Sequence, residues 1–352
     1  MWSKNPIRAI VGAAAVLVLV VACGRAPDRA DDSGGGFSAC MITDVGGIDD
    51  RSFNAAVWQG LRDAADRDDT IDPSYRSSES DKDYQPNLKQ SINKGCEVVI
   101  AVGGLMSSVT EQVAQDNPDA HFIIVDAAID LPNVYSVQFD TAQPAFLAGY
   151  LAAGMSATGT VATFGGSKIA PVTIFMDGFT AGVDHYNDVK DADVTALGWN
   201  RDKQEGIFVG SFTDQTGARR TTQDLLSRDA DVILPVAGNA ALGAPSAAQG
   251  AGDVSIIWVD FDGCTSVEQY CALFLTSVIK EIPAVIADAV LAAADGDHRS
   301  GSYLGTLDND GVGIAPYHDF ADRIPDALQS EVEQLRSDIA DGTVTVESPS
   351  SP

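Results

Sequence analysis

Three aspartates each end a short apolar run: Asp44, Asp126 and Asp260. Two phenylalanines, Phe53 and Phe175, stand where helical periodicity begins, and Asn54, Gly238 and Lys280 lie in comparable positions after apolar stretches or turns. A carboxylate accepts hydrogen bonds, an amide both donates and accepts, an ammonium donates, and an aromatic face stacks on a flat ring. Gly238 would let backbone approach a ligand closely. These groups grip a small molecule reversibly; they do not make up bond-breaking machinery. No G-x-S-x-G elbow occurs, and His121, His185, His298 and His318 are scattered away from any nucleophile. Asp49-Asp50 imitates a paired-acid site, but neighbours on a loop diverge. Gly165-Gly166-Ser167-Lys168 is too short for a phosphate-cradling loop. The chain is therefore expected to be no enzyme, to carry no cofactor and no metal, and to bind an uncharged ligand. Each residue also has a plainer explanation. Phe53 falls in register with a buried stripe, Phe175 and Met106 could be packing, the aspartates and Asn54 could cap turns, and Lys280 could be a surface lysine.

The elements that must position these groups are written in the same runs. Asp44–Gly60, DVGGIDDRSFNAAVWQG, follows an apolar strand with a glycine turn and then a helix. Ser52 is the expected N-cap, and Phe53, Val57, Gly60, Leu61 and Ala64 recur at helical spacing. Strands are predicted at 97–102, 121–125 and 134–139, with helices at 84–94 and 107–116 between them and a short strand near Tyr75. Asp140-Thr141 with Pro144 opens a helix over 145–155. The alternation then repeats, with strands at 161–164, 194–199, 232–236 and 254–259. The second set's helices are predicted at 175–186, 216–226 and 240–249, and another follows at 279–293. Alternating strands and helices predict α/β lobes with parallel sheets, whose carboxyl strand ends share one edge.

The chain has 352 residues and 45% hydrophobic residues, enough for two lobes with real cores. Fifty acidic residues against 22 basic give a formal charge of -28, which repels phosphate backbones and excludes nucleic-acid binding. Lys4 and Arg8 precede an apolar run, 9–22, that reads as a secretory signal over residues 1–22. Small residues before Cys23 resemble a lipobox, with Val20 where leucine is usual, so Cys23 is the expected lipid attachment point. Residues 23–36 form a flexible tether. The four other cysteines, Cys40, Cys96, Cys264 and Cys271, allow three pairings in an exported chain. Adjacent parallel strands favour Cys40–Cys96, and a shared loop favours Cys264–Cys271.

The opening stretch resembles the first motif of the basic membrane protein family, which is roughly D-x-G-x-x-D-D-x-S-F-N followed by Gly-Leu. Asp44, Gly46, Asp49, Asp50, Ser52, Phe53, Asn54 and Gly60-Leu61 carry the likeness. It continues through 133–153, 164–183, 210–217, 259–262 and 275–280, with GNAALG at 238–243 standing where the family has G-G-T-G-L-G. The resemblance implies a two-lobed periplasmic-binding-protein fold of type 1, with two Rossmann-like parallel-sheet lobes and a three-stranded hinge. On it, lobe 1 is 37–139 plus 276–300, lobe 2 is 140–275 plus 301–343, and 344–352 is a disordered tail. The crossings are expected near Phe139, Thr276 and Gly301. It also implies an extracytoplasmic, lipid-anchored, monomeric binding protein serving an ABC permease and its ATPase. Its ligand would be a purine nucleoside held between Phe53 and Phe175, with Asp44, Asn54, Asp126, Gly238, Asp260 and Lys280 as further contacts. Alternatives are a ribose-like sugar or other small solute, a sensory or adhesion lipoprotein, and a nucleoside-cleaving enzyme.

Overall fold

The computed structural model describes residues 36–352. The secretory segment, Cys23 and all but the last residue of the tether lie outside the described residues. The first half reads β1 (Phe37–Ile42), α1 (Phe53–Arg67), β2 (Ile71–Arg76), α2 (Tyr84–Asn93), β3 (Val98–Val102), α3 (Ser107–Asp116), β4 (His121–Val125) and β5 (Val134–Phe139). Next come α4 (Ala142–Met155), β6 (Thr160–Gly165), α5 (Ala170–Lys190), β7 (Thr195–Leu197), β8 (Trp199–Asn200), β9 (Glu205–Gly206) and α6 (Gln215–Leu226). The second set continues with β10 (Val232–Val236), α7 (Gly243–Ala248), β11 (Ser255–Asp260), α8 (Gly263–Ser266) and β12 (Phe274–Lys280). The last stretch is α9 (Ile282–Ala294), β13 (Gly301–Gly305), β14 (Val312–Ile314) and α10 (Asp326–Ala340).

Two six-stranded sheets result. The first has the order β13-β5-β4-β3-β1-β2 and is wholly parallel. The second, β14-β12-β11-β10-β6-β7, is parallel except where β14 runs against β12. Every residue of β3, β10 and β11 is buried. Helices cover both faces of each sheet, so the central strands carry unbroken apolar runs with no alternation. Cys40 on β1 bridges Cys96 just before β3, its neighbour in the sheet, and Cys264 bridges Cys271 across two short helical turns.

Three segments join the lobes, and two of them differ from the sequence expectation. The chain crosses after Phe139, as β5 gives way to α4. Thr276–Lys280 do not belong with the first lobe. They complete β12, pairing with β11 through Ile257↔Thr276 and Asp260↔Ile279, so the second crossing follows Lys280. The helix expected from Ile279 accordingly begins at Ile282, with Pro283 in its first turn. Gly301–Gly305 pair with β5 in the first sheet, so the return comes after Gly305, not at Gly301. The crossings lie side by side: the Asp140 amide donates to the Gly305 carbonyl at 2.9 Å and the Glu281 amide to the Gly311 carbonyl at 2.9 Å. Residues 344–352, expected to fray, are ordered. Val344 and Val346 pack against the core, and Ser348, Ser350 and Ser351 hydrogen-bond Asp177, Thr173 and Asp140. Serine hydroxyls seeking acceptors leave no periodic signature, which is why the segment read as a loose polar end.

Inside the second lobe, α4 and α5 cross at backbone contact. A Cβ on Gly149 would fall 2.0 Å from the Phe179 carbonyl oxygen, and one on Gly178 only 2.2 Å from that of Ala142. The small-residue pattern of 142–155 is thus a packing requirement: the helices approach so closely that a methyl group has no room. Gly178→Ala is expected to destabilise the fold by about 1–3 kcal/mol or more, because the clash is with rigid main chain. Urea unfolding of the mature domain tests this, and an unchanged midpoint would show that the two helices are not in contact.

Candidate functional site

The carboxyl ends of the two sheets face one another, and the gap between them collects the groups singled out in the sequence. Asp44, Phe53, Asn54, Asp126, Phe175, Gly238, Asp260 and Lys280 all line one pocket. It is a slot: the centre of a water molecule can roam about 60 Å³ of it, within a surrounding space of about 540 Å³. Met106 is not part of its lining; it is fully buried in the core of the first lobe.

Lys280 occupies the middle. It is only 4% exposed, and its Nζ lies 2.6 Å from Oδ2 of Asp126, at the end of β4 in the first lobe. It also lies 3.0 Å from Oδ1 of Asp260, the last residue of β11 in the second. The second contact is electrostatic; its angles are not those of a hydrogen bond, and Oδ1 of Asp260 has no donor among the described residues. Burial alone would pull the lysine down, but the two carboxylates outweigh it and hold its pKa above the ordinary value. The ammonium also stands 5.0 Å from the Phe53 ring centre and 5.1 Å from that of Phe175. Asp126 and Asp260 have φ of 59° and 67°, the left-handed region that aspartate visits more readily than most residues. That turn swings each carboxylate off its strand end.

Phe175 differs in placement from the sequence expectation. Its helix begins five residues earlier, at Ala170 with Pro171 in the first turn, so Phe175 sits a full turn inside α5. It is 1% exposed and forms wall against Lys280. Phe53, by contrast, opens α1 and is half-buried. A third aromatic, Phe212, joins the lining from the second lobe. It lies in the 210–217 loop over Gly166 and Gly238, where a Cβ on Gly166 would strike its ring at 2.5 Å. The family likeness at 210–217 covers it, but a lone aromatic in a loop carries no periodicity.

The start of α1 is built differently from the simple N-cap. The Ser52 hydroxyl makes no capping bond, and Asp50 does the work. Its Oδ1 accepts from the amides of Ser52 and Ala55 at 3.1 and 3.0 Å, and its Oδ2 from the amide of Asn54 at 2.8 Å. Burial pushes the Asp50 carboxyl up to about 6, while these donors pull the other way and favour the ionised form. The Asn54 side chain joins two acids: Nδ2 donates to Oδ1 of Asp44 at 2.9 Å and to Oδ2 of Asp50 at 3.0 Å. Asp44 also accepts from the Gly46 amide at 3.1 Å, yet burial still raises its carboxyl above the usual range. Gly103, at φ 103°, lets Asp44 and the Phe53 ring edge meet; a Cβ there would lie 2.9 Å from Oδ2 of Asp44 and 3.4 Å from the ring. Asp262, Cys264 and His318 also cluster, but Cys264 is held in its disulfide and the group lies outside the slot.

The slot can therefore hold a flat ring between apolar walls and accept hydrogen bonds from it at three buried carboxylates. Residues 37–349 match the family model described as ABC transporter substrate-binding protein PnrA-like. The chain is 29% identical over 94% of its length to the CD4+ T-cell-stimulating antigen of Listeria innocua, of which 94% is covered. It is 27% identical over 98% of its length to the ABC transporter nucleoside-binding protein BmpA of Lactococcus lactis, with 99% of that chain covered. A solved ABC transporter solute-binding protein from Aeropyrum pernix superposes with a TM-score of 0.79 at 23% identity, covering 89% of this chain and 94% of the other. That likeness concerns the fold of two parallel-sheet lobes. The family consists of substrate-binding proteins that serve an ABC permease and its ATPase, not of enzymes. This chain belongs to the Bmp family of PnrA-like ABC transporter substrate-binding proteins.

Proposed function

We propose that the protein captures a purine nucleoside in the slot between its lobes and delivers it to an ABC permease, anchored outside the cytoplasmic membrane by lipid on Cys23. The observation that carries the ligand reading is the pairing of aromatic walls from both lobes with buried carboxylates around one ammonium. The base lies between Phe53 and Phe212, with Phe175 closing the wall behind Lys280. Base–aromatic stacking favours any purine because every base has a π-face. The pentose hydroxyls donate to Asp126 and Asp260 and accept from Lys280, while Gly238 lets main chain approach. A phosphate is disfavoured, since four carboxylates line the slot against one lysine. The printed name of the Lactococcus relative, a nucleoside-binding protein, agrees with this reading. The anchor rests on residues 1–23 of the sequence alone.

Isothermal calorimetry of the domain lacking residues 1–23 tests the ligand, with guanosine, inosine, adenosine, ribose and a nucleoside monophosphate as titrants. Binding of nucleosides but not of ribose or the monophosphate is expected; no heat with any nucleoside would sink the proposal. Phe53→Ala and Phe212→Ala should each weaken binding by about 1–3 kcal/mol with little change in melting temperature.

Lys280→Met removes the only ammonium between two buried carboxylates and should cost about 3–5 kcal/mol of stability. The pH dependence has a definite sign. The folded-state pKa of Lys280 is raised, so its contribution is fully present below the ordinary lysine value and is lost only above it. Wild-type stability should therefore not change through this group between pH 6 and 9. In the variant Asp126, whose carboxyl burial already raises, loses the ammonium that pulled it down, so stability should fall as pH rises from 5 to 8. Thermal melts across that range check this, and a variant that is flat with pH would contradict the pairing.

A further inference from the structure

The space between the lobes does not end at Lys280. Beyond it, on the side of the first crossing segment, lies a larger chamber in which the centre of a water molecule can roam about 470 Å³. Asp126 and Lys280 border both spaces, so slot and chamber meet at that ion pair. Residues 349–352 form part of the chamber wall, and the segment is pinned in place. The Ser348 hydroxyl donates to Oδ2 of Asp177 at 2.6 Å, and Asp177 is fully buried, its Oδ1 taken by the Trp199 indole and the Gln204 amide at 2.8 and 2.7 Å. The Ser351 hydroxyl donates to Oδ1 of Asp140 at 3.2 Å. Much of the remaining wall is apolar, with Phe139, Ile169, Pro171 and Ile174 in it. Thr141 also borders the chamber; it is 1% exposed and its hydroxyl has no partner among the described residues. A buried hydroxyl without a partner is costly, and an acceptor brought in from the chamber recovers that cost.

We propose that the chamber is a second ligand compartment, which admits an uncharged substituent on the 5′ carbon of the nucleoside, an ether or thioether chain. The inference rests on the nucleoside reading and widens it to 5′-substituted nucleosides. On that reading the pentose lies at Asp126, Asp260 and Lys280 with its ring hydroxyls engaged there. Its exocyclic carbon is then the arm left to run past the ion pair, and the chamber receives whatever that carbon carries. An anionic group does not suit the space. Among the described residues Lys280 is the one cation bordering it, and Asp126 and Asp260 already hold that charge. An apolar chain gains by leaving water against the isoleucine and proline walls, while its ether oxygen or sulfur accepts from Thr141. An unsubstituted nucleoside leaves the chamber to water and keeps its other contacts.

Calorimetry of the domain lacking residues 1–23 tests the compartment, with guanosine, adenosine, their 5′-deoxy-5′-methylthio derivatives and their 5′-monophosphates as titrants. For each parent that binds, the thioether should bind within about fivefold or tighter, and the monophosphate at least about tenfold weaker. Ala170→Trp brings an indole into the chamber from the exposed first residue of α5, which does not line the slot. It should weaken the thioethers by at least about tenfold and change the parent nucleosides by less than about threefold. A thioether more than about fivefold weaker than its parent, a monophosphate within about tenfold of it, or a failure of Ala170→Trp to separate parent from thioether overturns the inference while nucleoside binding stands. Silence with every titrant overturns the nucleoside reading and this inference together. If the variant does not fold, the wild-type series still decides.

Discussion

A single buried ammonium holds the two halves of this molecule in register. Lys280 ends the last long strand of the second sheet, touches a carboxylate from each lobe, and is followed at once by the second crossing segment. Ions removed from water lose hydration worth several kcal/mol each. The arrangement persists because the attraction acts at 2.6 and 3.0 Å inside a low-dielectric slot and because two ring faces lie over the charge. The position of Lys280 is set in turn by the β11–β12 pairing, so the register of one strand pair governs the geometry of the cleft.

The same logic explains why the site is organised at strand ends. Both sheets are parallel where they meet the gap, and parallel strands release their last residues toward one edge. Asp126 and Asp260 are the first polar residues after their apolar runs, Asp44 follows Thr43 at the end of its own, and left-handed turns at Asp126 and Asp260 aim the carboxylates inward. Glycine at 103 and 238 then thins the walls where a larger residue would close the slot or strain the chain.

These features explain what could be read from the sequence. Buried parallel strands must be continuously apolar, so β3, β10 and β11 were visible as runs, and the acids ending β4 and β11 stood out against them. The cysteine pairs were visible for the same reason, since neighbouring strands bring Cys40 and Cys96 together. What could not be read depends on contacts distant in sequence. Thr276 and Ser277 look like a break before a helix, yet their hydroxyls bond the Ala315 carbonyl and the Gly263 amide within the fold, so the strand runs on to Lys280. Phe212 sits in a loop with no period to mark it. The orientation of the Asn54 amide is set by two carboxylates at once, Asp44 and Asp50, and only Asp50 is near it in sequence.

Closure itself follows from the charge balance. Bringing the lobes together places Asp44 and Asp126 of the first beside Asp260 of the second, with Lys280 as the one cation lining the slot. Like charges in a low-dielectric gap resist this approach. The hydrogen bond from the Trp258 indole to the Arg51 carbonyl, at 3.3 Å, and the Lys280–Asp126 pair favour it. The three crossing segments are tied by main-chain bonds, and Ser348 and Ser351 hydrogen-bond Asp177 and Asp140 close by. A ligand shifts such an equilibrium only by its differential affinity for the closed form. On the nucleoside reading proposed above, each N–H or O–H that the ligand brings to a carboxylate would lessen the repulsion that opposes closing, so donation and closure would be coupled.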